Sequence, residues 1–202
     1  MPRYFNKFPK LLYTKDNITS LVTNILARVS TVKGDVDNSA LYYQYSIKEG
    51  DTPEMIASKY YGDAELHWTV LLFNNIVDPF YDWPMDYQQF IKYLADKYGS
   101  PATAQITINH YEKIVQTIDN YSGQITTNTY IIDLESYDAL PAEPTSITKT
   151  IGPTTTTEII SRNAVSCYDY ENNLNESKRI IRLIKKELIN DIRTQFNTVM
   201  GV

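Results

Sequence analysis

The chain has 202 residues, with 19 basic and 24 acidic side chains, a formal charge of −5 and a 43% hydrophobic share, enough apolar residue for one respectable core or two small ones. Seven scattered glycines and nine prolines argue against low complexity, and the single cysteine excludes an internal disulfide and fits a reducing compartment. No stretch approaches the roughly 18–20 consecutive apolar residues of a membrane span, and residues 1–8, MPRYFNKF, hold no run of signal-peptide length, so the expectation is a soluble protein that stays inside the cell that makes it.

Residues 1–38 read as an arm followed by a short helix. Phe5, Phe8, Leu11, Leu12 and Tyr13 surround Pro9 in a basic context. Such an aromatic arm either packs back on its own domain or lies in a groove of another chain. Asn17 or Thr19 then caps a short helix on which Ile18, Leu21, Val22, Ile25 and Leu26 recur at helical spacing. Lys33–Asn38, KGDVDN, is a linker.

Residues 39–100 form the best-punctuated part. Tyr43, Tyr45 and Ile47 alternate with polar residues as in a half-buried strand, and Glu49-Gly50-Asp51 is turn chemistry. Thr52 is placed as an N-cap, Pro53 as the first helical residue, Glu54 at the positive helix end and Gly62 as the C-terminal stop. Asp63 caps a second helix with Leu66, Val70 and Phe73 on one face, widened by Trp68, Leu71 and Leu72, and Asn74-Asn75 ends it. Pro79 and Pro84 make Asp78–Pro84, DPFYDWP, a rigid turned loop from which Phe80, Tyr81 and Trp83 project. Rigid aromatics lose little entropy on binding and make good contact points, while Trp83 is the one expected to fold back on the module. A third helix, Tyr87–Tyr98, turns Phe90 and Leu94 to the core and stops at Gly99-Ser-Pro101.

Residues 101–168 change character. Ile106–Tyr111 alternates, Tyr111–Ile118 and Gln124–Asp133 flank the turn Asn120–Gly123, and Ser146–Ile151 and Thr155–Ser161 flank Gly152-Pro153. These are two threonine-rich surface hairpins, too little to bury a core unaided.

Residues 169–202 read as one long helix from Asn172 or Asn175, with Ile181, Ile184, Leu188, Ile192 and Phe196 stepping by three and four. A helix longer than the body needs points to packing on another chain, with packing on the protein's own sheet as the alternative. The middle, with 3 basic and 8 acidic side chains in 101–170, is acidic, and 171–202, with 6 and 4, is basic. That balance suits protein partners better than nucleic acid.

Chemistry finds few candidates. His67 has no cysteine or histidine at metal-ligand spacing, His110 lies 43 residues away, and Cys167 sits in no nucleophile signature. No phosphate-binding glycine loop occurs. Glu49, Asp51 and Glu54 are explained by a turn and a helix start. The expectation is a non-enzyme without metal or cofactor.

Tyr45–Thr52 (YSIKEGDT), Ile56-Ala57, Tyr60 and Asn74 resemble the LysM motif, a βααβ module. Taken further, Tyr61-Gly62-Asp63, Leu66, Trp68, Leu71–Asn75 and Asp78–Pro84 resemble the LysM-like baseplate wedge subunit of T4-type contractile-tailed bacteriophages. Tyr4-Phe5, Phe8-Pro9, Tyr13, Asn24-Ile25 and Arg28 resemble that family's N-terminal arm, and Asn175–Ile181 its C-terminal segment. The resemblance implies an α+β chain: a LysM-like βαα unit with flanking helices, a small antiparallel hairpin region and a long C-terminal amphipathic helix. It also implies a structural subunit of the virion's tail baseplate, made in the host cytoplasm. Its partners would be the wedge-core helical bundle proteins, a sheath-initiator-like subunit and the adjacent wedge. The candidate contact residues are Phe5, Phe8, Tyr13, Phe80, Tyr81, Trp83, Ile181, Ile184, Leu188, Ile192 and Phe196. The alternative is a peptidoglycan-binding LysM module of a cell-wall protein or lysin. Against it, the sugar-binding module closes with a second strand of the type Leu-x-x-Gly-x-x-Leu-x-Ile-Pro. Here Asp78–Met85 stands in that place, without the glycine or the alternation.

Overall fold

Lys10–Lys15 (β1) and Ile18–Thr23 (β2) pair as an antiparallel hairpin, Leu12 opposite Leu21. Where a helix was expected from Ile18, the chain forms a strand. Asp16 and Asn17 take φ of 52° and 62°, two left-handed residues in succession, which is the geometry that matches strand twist in a two-residue hairpin turn. Asx residues tolerate that region best, and the turn fixes the register before helical periodicity can matter. The computed structural model describes residues 8–24, 39–151 and 154–200; Phe5, Ile25 and Leu26 of the expected helix, the linker 33–38 and Gly152-Pro153 lie outside the described residues.

The chain divides into two compact units, Met1–Asp86 with Ser177–Val202, and Tyr87–Glu176. In the first, strand Tyr42–Ser46 (β3) leads through the turn at Gly50 into helix Pro53–Tyr61 (α1), then into a 3₁₀ turn at Ala64–Leu66 and helix His67–Phe73 (α2). The expected punctuation is present. Thr52 accepts a hydrogen bond from the Met55 amide, Gly62 adopts φ 81° as the C-terminal stop, and Asp63 accepts from the Glu65 amide.

The strand that pairs with β3 comes from the far end of the chain. Ile180–Ile184 (β8) runs antiparallel to it, Tyr42 opposite Ile184 and Ser46 opposite Ile180. Thus the expected single long C-terminal helix is three elements: Cys167–Ser177 (α6), β8, and Ile189–Met200 (α7), with a 3₁₀ turn at Lys186–Leu188. A C-terminal helix is present, but shorter. Ile181 and Leu183 point inward while Ile180 and Arg182 face out, a period of two; the same isoleucines also satisfy the three-and-four spacing of a helix. Pairing with β3 and burial decide between the two readings. Tyr42, Ile47, Ile56, Leu66, Val70, Ile181, Leu183, Ile184 and Ile189 form one core. A second cluster joins Phe8, Trp68, Phe196 and Met200, with the Trp68 and Phe196 ring centroids 4.4 Å apart.

The second unit opens with helix Tyr87–Tyr98 (α3), with Phe90 and Leu94 buried as expected. The stop at Gly99 is followed at once by a further short helix, Pro101–Ile106 (α4), because the Ser100 side chain accepts from the Thr103 amide and Pro101 fits the first turn. Both expected hairpins are present. Ile108–Asp119 (β4) pairs with Ile125–Ile132 (β5), and Thr145–Ile151 (β6) with Thr154–Ser166 (β7). Helix Leu134–Ala139 (α5) lies between them in sequence. The two hairpins join through β4 and β7 into one sheet of order β5-β4-β7-β6, so each supplies a neighbour that the other lacked.

Candidate functional site

Asp78–Pro84 leaves α2 as a loop built on two carboxylates. The Asp82 carboxylate accepts from the amides of Val77 (3.1 Å) and Asp78 (3.0 Å), and the Asp78 carboxylate from the Phe80 amide (2.9 Å). The amides of Tyr81 and Asp82 donate in turn to the Asp78 carbonyl. Backbone donation holds the Asp82 carboxyl below its ordinary value, with Lys178 adding a smaller pull. Lys178 also donates to the Tyr81 carbonyl, which ties the loop to the segment leading into β8. The result is a stiff platform carrying two rings in solvent: Phe80 is 90% exposed and Tyr81 76%.

Trp83 points the other way. Its Nε1 donates to the Asp51 carbonyl at 2.9 Å, and its ring packs against the first core. Asp51 is the anchor behind it. This buried carboxylate accepts from the Tyr45 hydroxyl (2.8 Å) and the Lys48 amide (3.2 Å), and pairs with Lys59. Burial pushes its pKa up, but the hydrogen bonds from Lys59, Tyr45 and Lys48 outweigh it, and the carboxyl stays below its ordinary value. Strand, turn, helix and aromatic loop therefore meet at one residue.

Asn74 plays a comparable part that its helix-ending position does not announce. Its Nδ2 donates to the carbonyls of Val70 (2.8 Å) and Arg182 (2.9 Å), and its Oδ1 accepts from the Arg182 amide (2.8 Å). A primary amide presents the same donor and acceptor pair as a peptide group, so Asn74 takes the place of a strand partner for Arg182 on the β8 edge away from β3. Beside it, Asn75, Ile76, Asp82, Lys178, Ile180 and Ile181 line a shallow groove.

The other expected contact residues divide by burial. Phe8, Ile181, Ile184 and Phe196 are buried in the first unit, and Leu188 and Ile192 pack against its cores. Tyr13 is exposed on the β1–β2 hairpin, whose Leu12 (73%), Ile18 and Leu21 are exposed as well. Leu12 and Leu21 share one face of that ribbon, Tyr13 and Ile18 the other, so both faces carry apolar side chains.

In the second unit, Glu171 forms a buried acid centre that the sequence reading missed. Its carboxylate pairs with Lys97 (2.7 Å) and accepts from the hydroxyls of Tyr98 (2.8 Å) and Tyr93 (3.1 Å). Burial raises its pKa, the three donors lower it more, and the net direction is down; burial and Glu171 together push Tyr98 up to about 12. Lys97 and Glu171 lie 74 residues apart, so no local signal exposes the pair. All of Glu171's oxygens are engaged in structure.

The two histidines stay apart in role. His67 meets the Ala64 carbonyl, and His110 meets Asn109 and Glu112. Among the described residues no group of three His, Cys, Asp or Glu is placed to hold a metal ion, and no helix is long and apolar enough to cross a membrane.

The aromatic loop and the β1–β2 hairpin leave apolar side chains exposed, while the polar side chains described above are spent on scaffolding. No curated protein matches the chain. The family model described as Base plate wedge protein 53 matches residues 5–202, nearly its whole length. The chain belongs to that family of phage baseplate wedge proteins, a structural component of the virion tail that works in contact with other baseplate proteins.

Proposed function

We propose that this subunit is a rigid, non-enzymatic joint of a contractile-tail wedge. It would bind the wedge-core helical bundle and a sheath-initiator-like subunit, and help to tie neighbouring wedges together. The observation that carries the reading, beyond family membership, is the loop Asp78–Pro84. It holds Phe80 and Tyr81 in solvent on a backbone fixed by Asp78 and Asp82. The rings are pre-organised, so docking them orders little that was free. The hairpin carrying Leu12, Tyr13, Ile18 and Leu21 is a second contact surface, because an isolated two-stranded ribbon gains stability when something covers it.

The block beneath these surfaces is LysM-like in our reading. What supports it is the order β3-α1-α2 closed by an antiparallel β8, with the closing strand delivered from Ile180 instead of from Asp78–Met85. The second unit is then an insertion between the helices and their closing strand.

The test replaces Phe80 and Tyr81 together with serine. Both side chains are exposed, so the variant is expected to keep the fold and stability of the parent while its incorporation into wedges falls by roughly tenfold or more, as for loss of a contact hot spot. Sedimentation of lysate from infected cells reads incorporation. Normal incorporation of the serine variant would remove the loop from the contact, and retention of the monomer on peptidoglycan would overturn the structural role.

A further inference from the structure

The strand β5 forms one edge of the second unit's sheet, with β4 as its neighbour. The turn sets which of its backbone groups are used. The Asp119 amide donates to the Gln124 carbonyl, so Asp119 and Gln124 are a hydrogen-bonded pair. Counting along the register, Thr126, Asn128, Tyr130 and Ile132 then bond Thr117, Val115, Lys113 and Tyr111 of β4. On the other flank of β4, the Asn120 amide donates to the Thr155 carbonyl of β7, which gives the even residues of β4 to β7 and agrees with that phase. The peptide groups of Ile125, Thr127, Thr129 and Ile131 therefore point outward along an edge eight residues long.

Such edges are normally blunted with a lysine, a proline, a bulge or a covering element. The opposite edge of this sheet follows the rule: β6 carries Lys149, paired with Glu158, and begins directly after Pro144. Within β5, ITTNTYII, there is no charge, proline or glycine, and its pairing with β4 runs from Ile118–Ile125 to Tyr111–Ile132 without a bulge. Ile125, Tyr130 and Ile131 are exposed on it. β-Branched and aromatic residues give it high strand propensity. This is an edge left open for pairing.

Charge selects the occupant. Residues 87–176 carry 5 basic and 11 acidic side chains, a net −6. Asp119, the last residue of β4, stands beside one end of β5, and Asp133 and Glu135 follow its other end. Two copies paired antiparallel through β5 would bring Asp133 and Glu135 of each to the end of the other copy's β5 that lies beside Asp119 of β4, and each of these units carries a net −6. A parallel pair would set Asp133 and Glu135 of one copy beside the same residues of the other. Like charges gathered at the ends of the paired strands, on units of the same net sign, oppose association, so a second copy is disfavoured. We propose that β5 accepts an added strand from a different baseplate protein, an extended segment with apolar or β-branched residues in its middle and lysine or arginine at its ends. This is strand addition at a sheet edge, with main-chain hydrogen bonds supplying affinity and flanking charges supplying orientation. The inference rests on the wedge reading above.

The experiment compares hydrogen exchange of the full-length protein, alone and incorporated into purified tail baseplates, resolved to single residues across 125–132. On assembly the outward amides of Thr127, Thr129 and Ile131 are expected to slow by roughly tenfold or more, while those of Thr126, Asn128 and Tyr130, already bonded to β4, change little. Alternation is the signature; protection of both sets alike would mean simple burial and would count against an added strand. Unchanged outward amides in particles that do contain the protein would overturn the proposal and leave the wedge reading standing. Absence of the protein from baseplates would defeat both. Outward protection already present in the protein alone, growing with its concentration, would make the occupant a second copy and overturn the choice of a foreign strand. As a variant, Thr129→Pro deletes an outward N–H without removing a β4 bond. With its inward amides still protected, it is expected to lower incorporation about tenfold, and normal incorporation would count against the added strand.

Discussion

Two buried carboxylates hold most of the polar organisation. Asp51 receives three donors and, through its own carbonyl, fixes Trp83. Replacing it with alanine leaves the Tyr45 hydroxyl and the Lys48 amide without their acceptor in a half-buried place. An expected loss of about 2–3 kcal/mol in the first unit follows, read by denaturant unfolding. Lys59 contributes little to that figure, since its ammonium is largely in solvent and screened. Glu171 makes a prediction about pH instead. Its folded-state pKa is depressed, so the stability it confers is complete at neutral pH and above the ordinary carboxylate range, and is lost as pH falls through the lower folded value. Glu171→Gln keeps the shape but not the charge. Its stability is expected to lie below the parent's at neutral pH and to fall less steeply below about pH 4; parallel acid-unfolding curves would show that the pair with Lys97 carries no folding energy.

At the scale of elements, the helices around the Gly50 turn were readable because their signals are local. Thr52, Pro53, Gly62 and Asp63 each act on a backbone group within three or four residues. The same holds for the two hairpins of the second unit, where Asp119 and Gly123 set one turn. The misread elements are those whose local signals compete. Leu21 and Val22 fit a helix, yet Asp16-Asn17 closes a hairpin first. Ile180–Ile184 fits either periodicity, and the difference is measurable. In a strand of period two, Leu183→Asp puts a charge into the core and is expected to unfold the first unit, whereas Ile180→Asp, on the outer face, changes stability by about 0.5 kcal/mol or less. Thermal unfolding of the two variants decides. Equal and mild effects would contradict the β3–β8 pairing.

The whole molecule spends its apolar side chains in a way that the stripe of Ile181, Ile184, Leu188, Ile192 and Phe196 does not announce. These residues close the cores of the first unit, and the exposed apolar side chains lie elsewhere: on Phe80 and Tyr81, on the β1–β2 hairpin, and along β5. Of the residues singled out from sequence, the exposed ones Phe80 and Tyr81 were legible as exposed because prolines and turn acids make a stiff loop whatever its surroundings. The buried ones were not, because an amphipathic stripe has the same pattern whether it faces its own core or another chain.

The sequence by itself determined the α+β class, the capped helices, the aromatic loop, both threonine-rich hairpins and the kinship with baseplate wedge proteins. Those rest on contacts between near neighbours or on motif spacing. Only the tertiary structure decided that Ile180–Ile184 is the strand closing β3, that the two hairpins merge into one sheet, that Glu171 meets Lys97, and that the β5 edge is left open. Each depends on which distant segment arrives, and that is settled by the balance of loop-closure entropy and buried apolar area across many tens of residues, to which no local pattern is sensitive.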